Sequence, residues 1–292
     1  NSWKLMSETP RGDGRSAPAS PRRQPPSWLT SIGHAVTGAL GLIAAGALSV
    51  LMLVALALAV AYPNLPEISG LTDYRPKLPM RIYAADGVLL GEFGEERRNF
   101  VSAADMPAVM KNAVLAIEDA RFYQHGGVDY LGILRAGLAN FGESRSQGAS
   151  TITMQVARNF YLSTEKTFTR KIYEILLALK IESLLTKDQI LELYMNQIYL
   201  GQRAYGFASA SEVYFGKPLK SVSIAEAAML AGLPKAPSAY NPIANPKRAT
   251  IRQLHIIDRM LENGFITPAQ REEARNQRLA YRTPSETPTH GE

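Results

Sequence analysis

One long segment of this 292-residue chain, residues 24–66, contains no Asp, Glu, Lys or Arg. Within it, residues 35–61 are almost entirely Ala, Leu, Val, Ile and Gly. A helix of about 27 residues is roughly 40 Å long, which is enough to cross the ~30 Å hydrocarbon core of a bilayer. The sequence therefore predicts a transmembrane helix over residues 32–62.

Two other interpretations of this segment are a buried core helix and a cleaved signal peptide. A core helix so long and so free of charge is unusual. Ala59-Val60-Ala61 resembles a cleavage site, but the apolar region of a signal peptide spans only about 7–15 residues. An uncleaved membrane anchor fits both the length and the composition.

The residues that precede the apolar segment are basic and rich in Pro, Ser and Gly. Such a composition buries too little apolar surface to offset the entropy of ordering, so we predict a disordered tail over residues 1–31. The positive-inside rule keeps this tail in the cytoplasm and places everything after Tyr62 outside the inner membrane. Met6 is a candidate natural start for the chain.

The rest of the chain divides into a Pro-rich connector (63–80), one domain (81–280) and a polar tail (281–292). An Asp-Gly turn between two apolar runs predicts a β-hairpin over residues 81–93. Apolar periodicity and cap residues such as Thr186 predict helices over 106–120, 168–185, 187–198, 225–232 and 246–264, and one that begins at Pro268.

Composition excludes several classes of protein. Hydrophobic residues make up 46% of the chain and charged residues 20%, which excludes a wholly disordered chain. The absence of Cys excludes disulfides, a thiolate nucleophile and a zinc–cysteine site. The four His residues are scattered, and a net charge of +6 is too mild to indicate nucleic acid as a partner.

Two clusters of residues combine polar groups with a helix terminus. Residues 118–127 place two carboxylates, an aromatic pair, a His and two glycines after an apolar run. This is also the pattern of a plain helix end, but burial of Glu118 would raise its pKa and prepare it for proton transfer. In residues 147–159, Gly148 and Ser150 open either an ordinary capped helix or one whose amides face an anion beside Gln155 and Arg158.

Two further clusters are charged or polar. In residues 166–174, Arg170 and Glu174 have the i, i+4 spacing of a solvated surface ion pair. Alternatively, the cations of this cluster and the Glu174 carboxylate together hold a pyrophosphate and its counter-ion. Glu192 and Asn196 lie one turn apart on a very apolar helix. A buried polar pair needs partners, so it forms either a structural network, which we favour, or a site wall.

Together and in this order, the four clusters resemble the peptidoglycan glycosyltransferase domain of class A penicillin-binding proteins and the related monofunctional transglycosylases. The motifs E-D-x-x-F-x-x-H-x-G, G-x-S-T-I-T-x-Q, R-K-x-x-E and I-L-E-x-Y-x-N are matched from Glu118, Gly148, Arg170 and Ile190. A fifth motif near residues 252–260 fits only in part, and Met154 stands where many members carry Gln.

The resemblance implies a mainly α-helical, lysozyme-like fold with two lobes and a small β-hairpin, preceded by one transmembrane helix. The implied activity is polymerisation of lipid II, a disaccharide-pentapeptide on undecaprenyl pyrophosphate, into β-1,4 glycan strands with inversion. The implied partners are lipid II, the growing glycan strand and the inner membrane, with cell-wall or division proteins as further candidates. The same resemblance implies a transpeptidase half after the polar tail.

By motif position, the resemblance makes Glu118 the general base and Glu174 a second catalytic carboxylate near the leaving group or its metal. A general base takes the proton of the acceptor 4-hydroxyl, and cations or a divalent ion, Mg²⁺ or Mn²⁺, stabilise the leaving pyrophosphate. The implied substrate-binding residues are Asp119, Phe122, His125, Ser150, Thr151, Gln155, Arg158, Lys166, Arg170, Lys171 and Asn196.

An apolar stripe lies between the first two motifs, at Leu131, Leu134, Leu138 and Phe141. Such a stripe usually faces a core, but beside an anchor it also suits the membrane interface.

Two rival functions remain for comparison. A lytic transglycosylase or lysozyme-type hydrolase also centres on one Glu, but cleaving glycan needs no cationic pyrophosphate site. An anchored scaffold that binds lipid II or division proteins without turnover has no need of both Glu118 and Glu174.

Overall fold

The computed structural model describes residues 27–72, 80–86, 89–93, 97–132, 150–162 and 168–282. Contacts divide the chain into two compact units, Asn1–Ala59 and Val60–Glu292. The first unit contains most of one long apolar helix. The second contains all four sequence clusters.

Helix α1 (Ser27–Ala61) contains nearly all of the predicted transmembrane segment. It begins at Ser27, so the prediction of a disordered tail is wrong for residues 27–31. Its portion His34–Ala61 is long and apolar enough to cross a membrane, with a mean hydropathy of 2.6, and none of it is buried inside the structure. Leu42 is 77% exposed and Met52 is 75% exposed. This exposure contradicts the core-helix alternative, because a core helix would bury such side chains.

The first part of the predicted connector is folded. After a 3₁₀ turn at Tyr62–Asn64, a short helix α2 (Ser69–Thr72) follows. Leu65, Ile68 and Leu71 are buried, and Lys180 Nζ donates to the Pro66 carbonyl at 3.3 Å. The Pro-rich composition suggests an extended connector, but residues 63–72 are folded, because apolar side chains at every third position give this segment a face that packs.

The predicted hairpin is confirmed. Strand β1 (Met80–Tyr83) pairs antiparallel with β2 (Leu89–Phe93), and Met80 lies opposite Phe93. A second, parallel pair joins β3 (Arg97–Arg98) to β4 (Ala204–Tyr205). The sequence did not predict this pair, because two residues are too few to show a strand period.

The described part of the domain is otherwise mainly helical, as predicted. Its helices are α3 (Ala108–Glu118), α4 (Ile152–Tyr161), α5 (Phe168–Leu184), α6 (Lys187–Gln197), α7 (Phe207–Phe215), α8 (Ile224–Ala231), α9 (Pro246–Glu262) and α10 (Pro268–Asn276). Short 3₁₀ turns lie at Phe122–Gln124, Leu219–Ser221 and Leu233–Lys235.

Two predicted helix starts and one predicted helix end are confirmed by their cap residues. Thr186 caps α6 in a capping box with Gln189, and Thr267 caps α10, which has Pro268 in its first turn. Gly264 has φ +72° just after α9, which is the left-handed conformation that favours Gly at a helix end.

The helices pack in two groups. Helix α3 packs against α8 and α9, and α4 packs against α5 and α6. Glu118 ends α3 and therefore belongs to the first group, whereas Gln155 and Arg158 lie on α4 in the second. The candidate site forms where the end of α3 meets α4.

Candidate active site

Glu118 is the last residue of α3, a helix whose apolar face is buried. Gln155 Nε2 donates a hydrogen bond of 2.7 Å to Glu118 Oε2. Burial raises the pKa of Glu118 above its usual value, while the bond from Gln155 and the positive charges of Arg252, Arg158 and Lys235 act in the opposite direction. Glu118 is partly exposed, so its desolvation is partial, and a raised pKa suits a general base.

Asp119 turns away from Glu118 and into the protein. His125 Nε2 lies 2.9 and 3.0 Å from the two carboxylate oxygens of Asp119, and the Ile152 amide donates to Asp119 Oδ2 at 3.1 Å. The carboxylate thus sits at the N-terminus of α4, where the helix dipole stabilises negative charge. These contacts link the first motif to the second.

Thr151 completes this link. Its hydroxyl donates to the Gly127 carbonyl at 2.6 Å and accepts from the Met154 amide at 3.2 Å, so it caps α4. The sequence allowed either an ordinary capped helix or one whose amides face an anion, in both cases opened by Gly148 and Ser150. The helix begins at Ile152 with Thr151 as its cap, and the anion at its first amide is Asp119; Gly148 lies outside the described residues.

Phe122 is a core residue with no exposed surface. Lys187 Nζ lies 4.2 Å from the centre of its ring, and Tyr123 meets the ring edge to face. A ring with no exposed surface cannot touch a substrate, so the substrate-binding role expected of Phe122 is corrected to a structural one. Asp119, His125 and Thr151 are also engaged within the protein, and a substrate contact of theirs stays a prediction.

Glu174 is 1% exposed and is contacted by three cations. Arg170 Nε lies 3.3 Å from Glu174 Oε1, Lys171 Nζ lies 3.0 Å from Oε2, and Arg158 Nη1 lies 3.9 Å from Oε1. Lys171 Nζ also donates to Ser150 Oγ at 2.7 Å. This burial contradicts the alternative of a solvated surface ion pair.

The residues around Glu174 do not fit a divalent cation. Mg²⁺ binds to several oxygen ligands, whereas both Glu174 oxygens already face cationic side chains. Within the described ranges, no group of three or more His, Cys, Asp or Glu side chains is placed to hold a metal. We therefore assign no step of the reaction to a metal at Glu174. Lys166, another expected cation of this region, lies outside the described residues.

Arg158 interacts with both carboxylates, by contact with Glu174 and through its charge with Glu118. Its guanidinium contacts Glu174, and its positive charge lowers the pKa of Glu118. The side chains of Arg158 and Lys171 remain 35% and 42% exposed. Both can therefore reach an anionic ligand while Glu174 holds them.

Asn196 is hydrogen-bonded to the protein backbone. Its Nδ2 donates to the carbonyls of Val101 (2.8 Å) and Glu192 (2.9 Å), and its Oδ1 accepts from the Val101 amide (2.9 Å). Glu192 in turn accepts from the Ala103 amide at 2.6 Å. These contacts support the structural alternative, and a substrate contact of Asn196 stays a prediction.

Sequence reasoning missed two of the cations that face Glu118. Arg252 begins the loosely matched fifth motif, which was the available signal, and its guanidinium lies 5.7 Å from the centre of the Tyr240 ring. Lys235 ends a 3₁₀ turn, and no pattern in the sequence distinguishes it from other surface lysines.

The apolar stripe is described only at its start. Leu131 is 58% exposed and the neighbouring Tyr130 is 67% exposed. Leu134, Leu138 and Phe141 lie outside the described residues, so the choice between core and membrane interface stays a prediction.

The site combines a carboxylate at the end of α3, which accepts a hydrogen bond from Gln155, with a second carboxylate held among three cations. Such an arrangement is chemically suited to accepting a proton from a hydroxyl and to stabilising an anionic leaving group. The family described as transglycosylase matches residues 86–261, and the chain belongs to this family.

Individual proteins similar to this chain carry names that agree with the transglycosylase family. The chain is 60% identical over 230 residues to penicillin-binding protein 1A of Neisseria gonorrhoeae, covering 78% of this chain and 29% of that protein. It is 55% identical over 216 residues to a Cupriavidus necator protein named as a transglycosylase, covering 74% of this chain and 85% of that one. The chain thus spans less than a third of the penicillin-binding relative. A crystal structure of penicillin-binding protein 1A from Haemophilus influenzae is 30% identical, with a TM-score of 0.42, over 72% of this chain and 22% of that chain.

Proposed function

We propose that this chain polymerises lipid II into β-1,4-linked glycan strands, with undecaprenyl pyrophosphate as the leaving group. The observation that carries the proposal is Arg158, which contacts Glu174 and whose charge acts on Glu118. A proton acceptor and a set of cations are thereby joined in one site. Glycosyl transfer from a pyrophosphate requires both.

In the proposed reaction, Glu118 takes the proton of the acceptor 4-hydroxyl as the oxygen attacks the anomeric carbon of the donor. The bond from that carbon to the pyrophosphate oxygen breaks, and the electron pair leaves with undecaprenyl pyrophosphate. Attack from the face opposite the leaving group inverts the anomeric centre. Gln155 orients Glu118 through its 2.7 Å hydrogen bond.

The leaving pyrophosphate gains negative charge in the transition state, and preorganised cations stabilise such charge. Arg158, Arg170 and Lys171 are the cations proposed for this task. Glu174 keeps them together before substrate arrives, because mutual repulsion would otherwise separate them. This role replaces metal binding as the function proposed for Glu174.

Helix α1 supports a place in the inner membrane, where a lipid-linked substrate resides. We propose that the basic tail lies in the cytoplasm and the catalytic domain in the periplasm. The growing glycan strand is the proposed second substrate. A transpeptidase half and contacts with cell-wall or division proteins stay predictions.

Two incubations test the proposal against its rivals. The full chain in detergent is incubated with lipid II and, separately, with finished glycan, and the products are separated by size. We expect glycan strands from lipid II and no soluble fragments from finished glycan. Release of fragments would establish a lytic enzyme, and lipid II binding without product would establish a scaffold.

A further inference from the structure

Tyr194 on α6 has a hydroxyl that the fold leaves without a partner. The side chain has no exposed surface, and its oxygen forms no hydrogen bond with any residue in the described ranges. A buried hydroxyl without a partner costs free energy, so such a group calls for an explanation. Phe would fill nearly the same volume without this cost.

Tyr214 on α7 provides the matched contrast. It is equally buried, but its hydroxyl donates to the Leu200 carbonyl at 3.0 Å. The core of this domain can therefore satisfy a buried tyrosine. Packing alone does not explain why Tyr194 carries an oxygen.

Tyr194 lies on a helix that packs against the candidate active site. Helix α6 packs against α4, which carries Arg158 and the Gln155 amide that donates to Glu118. Burial raises the pKa of Tyr194 well above its usual value; the negative charge of Glu118 raises it further, and the positive charge of Arg158 lowers it. The charges of the active site therefore act on the Tyr194 hydroxyl.

We propose that Tyr194 is a positioning residue for Glu118: when substrate fills the site, its hydroxyl donates a second hydrogen bond to the carboxylate, beside that of Gln155. The inference rests on the proposed function, in which Glu118 is the base. Two donors hold the carboxylate in one orientation towards the acceptor hydroxyl. Because Tyr194 is fully buried, it acts through Glu118 and does not touch the substrate.

The test compares Tyr194→Phe with Tyr214→Phe in the full chain in detergent micelles. Steady-state kinetics with lipid II across pH and a thermal melt are measured for both variants and the wild type. The other groups that face Glu118 are Gln155 and Arg158 on α4, Arg252 on α9 and Lys235 on its 3₁₀ turn, and neither variant alters them.

For Tyr194→Phe we expect kcat to fall about threefold to tenfold, the range of one hydrogen bond, with KM unchanged. The donor stabilises the charged carboxylate, so its loss raises the pKa of Glu118 and moves the acid limb of the pH profile to higher pH. The melting temperature should stay level or rise. Tyr214→Phe should instead lower the melting temperature and leave the acid limb in place.

An acid limb of Tyr194→Phe that coincides with that of the wild type would overturn the positioning role. A Tyr194→Phe chain that fails to fold would overturn it too, because the inference requires the hydroxyl to be dispensable for folding. A wild type that makes no glycan would overturn the proposed function, and with it this inference.

Discussion

Gln155 donates a hydrogen bond from Nε2 to Oε2 of Glu118 over 2.7 Å. This bond joins the end of α3 to the second turn of α4, two helices that belong to different packing groups. It holds a carboxylate whose burial alone would favour the protonated form. The bond therefore keeps the base in place and favours its charged form.

Replacing Glu118 by Gln should abolish polymerisation while lipid II binding survives. Loss of a general base costs about 10²–10⁴-fold in rate. Single-turnover polymerisation and a lipid II binding isotherm measure the two effects. Near-normal chain elongation by the variant would show that Glu118 is not the base.

The same substitution should leave the protein as stable as the wild type, or more stable, at neutral pH. Burial raises the pKa of Glu118 in the folded state, so its contribution to stability is present below the unfolded pKa and is lost as pH rises through the folded pKa. Thermal melts from pH 4 to pH 8 check this, and the advantage of the Gln variant should grow towards high pH.

Arg252→Met should move the acid limb of the activity profile to higher pH. Arg252 is the charge that most lowers the pKa of Glu118, followed by Arg158 and Lys235, so Lys235→Met should produce a smaller shift. Arg259→Met is the control, because Arg259 lies on the same helix but pairs with Glu262. Equal shifts in the Arg252 and Arg259 variants would argue for a general charge effect.

Glu174→Gln should cut turnover about 10²–10³-fold and also lower stability. Loss of a well-placed electrostatic group in a catalytic site has that effect on rate. The variant leaves three cations facing a neutral amide, which we expect to cost about 1–3 kcal/mol, since two of the cations are partly exposed.

Glu182→Gln is the control for this variant. Glu182 lies on the same helix, pairs with Lys187 at 2.7 Å and accepts from Thr153, away from the proposed leaving group. The Glu182→Gln variant should be less stable than the wild type but keep its turnover when it is assayed well below its melting temperature. If both variants lose turnover equally, Glu174 has no specific role in the reaction.

Asn196→Ala should destabilise the domain without weakening substrate binding. The variant leaves the Val101 amide and carbonyl without the partners they have in the wild type, at a cost of about 2–3 kcal/mol. Chemical denaturation measures this loss, and KM for lipid II should stay within about twofold. A raised KM at unchanged stability would establish the binding role.

The proposed topology can be tested because the chain contains no Cys. Ser20→Cys in the basic tail and Ser221→Cys at an exposed position of the domain each supply one reactive thiol. A membrane-impermeant maleimide added to intact spheroplasts should label only Ser221→Cys. A permeant maleimide should label both variants. If the impermeant reagent labels only Ser20→Cys, the orientation is the opposite of the proposed one.

Local signals in the chain were sufficient for the elements that depend on near neighbours. Residues 32–62 indicated a membrane-spanning helix because a charge-free run of that length has few other uses. Thr186 and Thr267 marked helix starts because a cap bonds to an amide only three residues away. The motif order identified Glu118 and Glu174 as a pair without revealing what surrounds either of them.

Contacts between distant parts of the chain were decided by the tertiary structure alone. Burial of Glu174 among three cations excluded the surface ion pair, which the i, i+4 spacing with Arg170 equally allowed. Asp119 filled the helix N-terminus that the sequence left open for a substrate anion. Lys235 and Arg252 reach Glu118 from more than a hundred residues away. Spacing along a chain encodes only local geometry, whereas burial and charge at a site depend on which helices pack together.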